Sequence, residues 1–343
     1  YVHGLAFSGS TVYLADYYSG LRVIDVSDPV NPAVLGSCDT PGWAWNVAVD
    51  GAHAYVADLD GGLRIIDVGD PDTPWEVGHY DTPGLASGLA VEGEYAYVAD
   101  GETGLWVVDV SDPTNPAEAG SYDTPGSAAG VALEGVYAYV ADGSAGLRAL
   151  DVSDPQNPVE LGFYDTPGAA RDVAVVGAHA YVADYDAGLR VIDVSDPENP
   201  VEVGFSDTPD RAYTLAVSGD YAYVADYLAG LRIVDISDPA APVEVAYCDL
   251  PGSTRGVAVV GQFAFVSADK VRVIDISDPA NPVEIGAYTV SGIGITASGG
   301  YGYLAAPLDG LMILDLAEPA APHEISAYVS LGWVAAAAVA GSH

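Results

Sequence analysis

Lysine is almost missing from this chain: Lys270 is the one copy, beside nine arginines and 49 acidic residues. The net charge of −39 excludes nucleic acid and anionic membrane surfaces as partners of the molecule as a whole, because both require a cationic footprint. No apolar run reaches the roughly 18 residues of a membrane helix, so no membrane span is expected. With 40 glycines and 23 prolines, the chain also lacks windows for paired amphipathic helices, which excludes a helical solenoid. Cysteine is limited to Cys38 and Cys248, at the same repeat position five repeats apart. On a ring they would sit on different blades, beyond disulfide reach, so they are read as unpaired and leave the redox compartment open. The chain opens directly on a repeat unit, and any export signal is expected upstream of it.

What fills the chain instead is one segment copied many times. Tyr181-Val-Ala-Asp184 has counterparts ending at Asp16, Asp58, Asp100, Asp142 and Asp226, a constant step of 42 residues. The aspartate of Ile-Asp-Val-Ser-Asp-Pro falls at Asp25, Asp67, Asp109, Asp151, Asp193 and Asp235, then at Asp275 and Asp315 after two steps of 40, which makes eight repeats. Most of the acidity belongs to this consensus, at positions typified by Asp184, Asp193, Asp196, Glu202 and Asp207. Copying therefore explains the charge better than salt adaptation or calcium binding does.

Within one unit, Arg171–Gly177, Ala180–Asp184, Gly188–Val194 and Val201–Phe205 read as four short strands, a to d, separated by Gly, Pro and Asp turns. Asp196 and Pro197 suit the c-to-d turn, the first by bonding its own backbone and the second by presetting φ. Four antiparallel strands every 40 to 42 residues predict an all-β fold, an eight-bladed β-propeller of four-stranded antiparallel blades. A lone blade cannot bury both faces, and closure gives each one two neighbours. One propeller domain is expected over residues 1–340, with 341–343 an expression scar. Tyr1–Phe7 and Trp333–Val339 both read as strand a, so the C-terminal strand is surplus to eight blades.

Leu105-Trp-Val-Val-Asp109, Leu189-Arg-Val-Ile-Asp193 and Leu231-Arg-Ile-Val-Asp235 resemble the LVIVD repeat of bacterial and archaeal cell-surface proteins. The resemblance covers essentially the whole chain. It implies a propeller on an exported or cell-surface protein and no established catalytic residues. The pattern departs at the end of the chain, where Ala268 and Ala306 replace the strand b aspartate and Glu318 replaces the Ser-Asp-Pro aspartate.

In propellers the d-to-a and b-to-c connections share one face, around the mouth of the central channel. The position two before the strand a core reads His3, Trp45, Ser87, Ala129, Arg171, Tyr213 and Arg255. A position needed only for folding would repeat, and this one collects aromatic and charged side chains. Arg22, Arg64, Arg148, Arg190, Arg232 and Arg272 share the strand c position, where a long side chain can lie over the sheet and pair with acids. Arg171, Arg211 and Arg255 stand apart, in the d-to-a loops before blades 5, 6 and 7. They can form a cationic pocket for a carboxylate, sulfate or phosphate; the bland alternative is that they balance Asp172 and Asp210. Tyr185 and Tyr227 follow the strand b aspartate, and with Tyr213 and Trp45 they add rings to the same face.

The candidate ligand-binding residues are therefore Arg171, Arg211, Tyr213, Arg255, Trp45, Tyr185, Tyr227 and His3. No catalytic residue, metal site or cofactor is assigned. One strand b carboxylate per blade cannot give calcium its six or so oxygens, so a structural calcium is not favoured over a turn-closing hydrogen bond. The six histidines show no metal spacing. The expected function is a non-catalytic, monomeric, extracellular binding or display scaffold for a glycan, peptide or protein. The alternatives are a hydrolase or lyase acting on an acidic carbohydrate through an arginine clamp, and a purely structural spacer.

Overall fold

The structure, a computed structural model, describes residues 5–8, 11–16, 18–25, 33–268, 271–288, 295–298, 301–306, 310–315 and 323–328. His3, the surplus strand expected at 333–339 and the tail at 341–343 lie outside the described residues. Eight four-stranded antiparallel sheets follow one another in chain order, each with its strands paired a-b-c-d. Blade 5 has strand a at Asp172–Val176, b at His179–Ala183, c at Leu189–Asp193 and d at Val201–Ser206. The first strand lies innermost, because strand a of each blade packs on strand a of the next from blade 1 to blade 8. The architecture is the expected eight-bladed β-propeller.

The cores lie between blades. Tyr181, Ala183, Leu189 and Val191 of blade 5 form one buried cluster with Leu215, Ala222, Val224 and Val234 of blade 6. Alternating side chains of strands b and c thus bury both faces of blades 3 to 6 against their neighbours. The outer strand supplies a second joint. A Cβ on Gly204 would lie 2.3 Å from the carbonyl oxygen of Pro239 and 2.5 Å from Cδ of Pro242, so only glycine admits the next blade's proline turn this closely. In the c-to-d turn, Asp196 accepts the Glu198 N–H at 3.2 Å, as the sequence predicts.

The strand b aspartates are fully buried, and their role differs from the turn closure expected. Asp58 accepts the Thr40 hydroxyl at 2.5 Å and the Gly42 N–H at 2.7 Å, both from the connection arriving from blade 1. The same tie joins Thr82 to Asp100, Thr124 to Asp142, Thr166 to Asp184 and Thr208 to Asp226. Each carboxylate therefore fastens the incoming chain to its new blade. Burial pushes Asp58 up to about 6, against the pull of Thr40, Gly42 and Arg64.

The strand c arginines complete a buried ionic unit. Arg190 lies 3.9 Å from Asp184, 3.9 Å from Glu202 and 2.8 Å from Asp207, with the Phe205 ring 4.8 Å from its guanidinium carbon. Arg64, Arg148 and Arg232 repeat the arrangement. Blade 3 solves the problem without a cation. Trp106 stands at the arginine position and donates its indole N–H to Thr103, whose hydroxyl bonds Asp100.

Removing Arg190 leaves three carboxylates around an empty centre. We expect Arg190→Ala to cost about 3 kcal/mol, the scale for breaking a buried pair from one side. Ala187→Thr with Arg190→Trp installs the blade 3 solution and should recover most of that loss in denaturant unfolding. Equal destabilisation of the two variants would show that the carboxylates do not depend on a local partner.

Candidate ligand-binding site

The shared face is confirmed by bridges between the b-to-c turn of one blade and the connection entering the next. Leu59 pairs with Ala86, Gly101 with Ala128, Gly143 with Ala170, Tyr185 with Ala212 and Tyr227 with Thr254. One residue further on lies the ring position, and its backbone is constant. Trp45, Ser87, Ala129 and Arg171 each donate an N–H to the last alanine of strand b, at 2.7, 2.9, 2.8 and 2.9 Å. Tyr213 occupies the equivalent place, where the strand register shifts between Ala212 and Thr214. Across blades 2 to 5 only the side chain changes, and blade 6 adds the register shift.

In the sector of blades 5 to 7 those side chains converge. The Tyr185 and Tyr213 rings meet edge-on with centroids 5.3 Å apart, and Tyr213 meets Tyr227 at 5.5 Å. Arg171 lies 4.9 Å from the Tyr185 centroid. Arg211 bridges Tyr185 and Tyr227 at 5.1 and 5.7 Å, and Arg255 bridges Tyr213 and Tyr227 at 5.5 and 5.6 Å. Each guanidinium is within cation–π range of a ring, so three arginines and three tyrosines form one continuous cluster. The Tyr185 and Tyr213 hydroxyls are 3.5 Å apart.

The electrostatics set this cluster apart from the framework. Four of the strand c arginines each have three carboxylates within 4 Å. Among the described residues Arg171 and Arg255 have none, and Arg211 has Asp186 at 3.4 Å, with the Arg211 side chain half-buried and that of Asp186 exposed. The acids nearest in sequence are engaged elsewhere. Asp172 accepts N–H groups from Val173 at 2.9 Å and from Leu215 of blade 6 at 3.1 Å, and Asp210 accepts that of Leu228 at 3.1 Å. Neither Asp172 nor Asp210 forms an ion pair with a cluster arginine among the described residues, although the charge of Asp210 reaches Arg211. Burial raises the Tyr213 phenol, aided by its bond to Tyr185, whereas bonds from Ser253 and Arg255 lower that of Tyr227. The Tyr185 phenol and then the carboxylates of Asp186 and Asp210 raise Arg211.

The backbone beneath two of the rings is strained. Tyr185 and Tyr227 hold φ of 47° and 40°, where Gly101 and Gly143 stand at the matching positions of blades 3 and 4 with φ of 65° and 55°. Left-handed conformations are costly for residues with a Cβ and collect at binding sites. Leu59 shares the conformation at φ 42°. The spacing of Leu59, Gly101, Gly143, Tyr185 and Tyr227 was the sequence signal for this strain. Trp45 is half-buried at the ring position of blade 2 and does not belong to the cluster of blades 5 to 7. Near it Tyr18 and Trp43 meet edge-on at 5.9 Å. Among the described residues no group of acids, histidines or cysteines could hold a metal ion.

The family profile described as the LVIVD repeat matches residues 1–40, 41–82, 83–124, 125–166, 167–208, 211–250, 251–290 and 293–330. No curated protein matches the chain in sequence. Among solved structures it is similar to AztD of Citrobacter koseri, at 17% identity and TM-score 0.68, over 95% of each chain. BamB of Moraxella catarrhalis matches at 14% identity and TM-score 0.67, over 90% of this chain and 92% of its own. The computationally designed protein Ika8 gives TM-score 0.73 at 10% identity, over 90% and 94%. Identities this low establish the shared fold alone.

Glycine at a left-handed position relieves strain of roughly 1–2 kcal/mol, which offsets the loss of a half-buried ring. We therefore expect Tyr227→Gly to lower stability by less than about 1 kcal/mol in denaturant unfolding. A loss above about 3 kcal/mol, the scale of a core aromatic, would make Tyr227 a folding residue.

Proposed function

The chain belongs to the LVIVD repeat family, and from that premise we propose that it is a non-catalytic binding scaffold that holds a ligand on the loop face around the channel mouth, in the sector of blades 5 to 7. The observation that carries this is the convergence of Arg171, Arg211 and Arg255 on Tyr185, Tyr213 and Tyr227, on a backbone that the other blades share. Folding does not require the cluster, since blades 3 and 4 carry Ser87, Gly101, Ala129 and Gly143 at four of its positions. A pure spacer would account for the framework but not for arginines without carboxylates. The scaffold acts as an exported monomer with residues 1–340 as one domain, and its ligand is a glycan, peptide or protein. Trp45, with Tyr18 and Trp43, would serve as a second contact region on the same face.

One observation favours the enzymatic alternative. Asp172 follows Arg171 directly, and burial pushes its carboxyl up to about 6 against the N–H bonds from Leu215 and Val173. A carboxyl in that range suits general acid work on an acidic carbohydrate. Its two backbone partners already give Asp172 a structural task in tying blade 5 to blade 6, so binding without catalysis is the preferred reading.

Screening the protein on glycan and peptide arrays should yield ligands that the triple variant Arg171→Ala, Arg211→Ala, Arg255→Ala binds at least tenfold more weakly, each charge-assisted contact being worth about 1.5–3 kcal/mol. Array binding unchanged in that variant, with its thermal unfolding intact, would remove the site from this face sector.

A further inference from the structure

We propose that the Arg/Tyr cluster takes an acidic sugar: a hydroxylated ring bearing one oxyanion, carried on an otherwise neutral chain. This rests on the binding reading above and gives its ligand a chemical class. Three observations specify it. First, the cluster carries charged donors. The arginines are seated against aromatic rings, and among the described residues Arg171 and Arg255 have no carboxylate within 4 Å. Guanidinium groups left without an acid in a chain of net charge −39 offer an oxyanion its charge-assisted bonds.

Second, acceptors stand beside the donors. Asp186 lies beside Arg211 with its side chain 73% exposed, and Asp210 uses one oxygen on the Leu228 N–H. Donors with carboxylates beside them match a ligand that presents an oxyanion flanked by hydroxyl groups. A bare carboxylate such as glutarate presents the oxyanion and no adjacent donors, so Asp186 and Asp210 would repel it without return. Exposed Leu228, in the same turn as Tyr227, gives the apolar face of a sugar ring a place to rest.

Third, the charge of the whole molecule limits how many oxyanions the ligand can carry. A polyanion docking on three arginines would bring its remaining charges against a surface of the same sign. One acidic unit at an end or branch of a neutral glycan avoids that repulsion.

The test is titration of the wild-type protein with methyl glucuronide, followed by NMR of the tyrosine ring resonances. The comparison probes are the isosteric neutral glucuronamide, glucose 6-sulfate, inorganic sulfate, glutarate and a heparin fragment. We expect methyl glucuronide or the sulfated sugar to bind, with the better of the two naming the oxyanion, and the neutral amide to bind at least tenfold more weakly. Glutarate, inorganic sulfate and heparin should each be weaker than the better acidic sugar, and Arg171→Gln, Arg211→Gln, Arg255→Gln should abolish the response. Equal affinity for glucuronide and its amide overturns the oxyanion, and glutarate or inorganic sulfate equalling the sugars overturns the sugar. A preference for heparin overturns the single charge. No response to any probe overturns the proposal as a whole. If array ligands depend on the three arginines but are neutral or peptidic, the inference fails while the binding reading stands. If no array ligand depends on them, both fail.

Discussion

A fully buried carboxylate at the end of strand b is the interaction on which the rest of the ring depends. Taking a carboxylate out of water is expensive, and it is tolerated only where its oxygens are bonded and its charge is met. Here Asp58, Asp100, Asp142, Asp184 and Asp226 are bonded by the connection entering their own blade. The cost of burying the charge thus becomes a requirement that each blade be entered along one path. That path fixes the loop face, and with it the place of every ring residue.

The exceptions follow the same physics. In blade 7, Ala268 stands in place of the aspartate, and the threonine that would bond it is replaced by Leu250. The two now belong to one apolar cluster, with Leu250 buried and Ala268 half-buried. Losing both partners together is tolerable where losing one is not. Blade 3 exchanges its arginine for Trp106 and adds Thr103 to serve Asp100. These compensated exchanges contrast with the ring positions, where the side chains change freely from blade to blade.

That separation explains what the sequence could and could not reveal. Repeat number, strand order and the loop face were legible because each follows from a spacing, and the arginines at 171, 211 and 255 were visible as residues off the repeat. Their association with Tyr185, Tyr213 and Tyr227 was not legible, because the side chains belong to three blades and meet only once the ring is built. Nor was the partner of Arg211. Asp210 is adjacent in sequence, yet Asp186 is the acid beside it, because the b-to-c turn of blade 5 lies against the connection entering blade 6. The strand b aspartates were read as local turn closures for a similar reason, since their partners stand 18 and 16 residues away.

The central claim is that a site here consists of a few side chains set on a backbone that neighbouring blades repeat. It is tested most directly by copying the cluster three blades upstream with Trp45→Arg, Leu59→Tyr, Leu85→Arg, Ser87→Tyr, Gly101→Tyr and Ala129→Arg, then measuring binding stoichiometry by calorimetry. The account predicts two equivalents of an array-selected ligand per chain, where the parent binds one. A correctly folded graft that still binds one equivalent would contradict it.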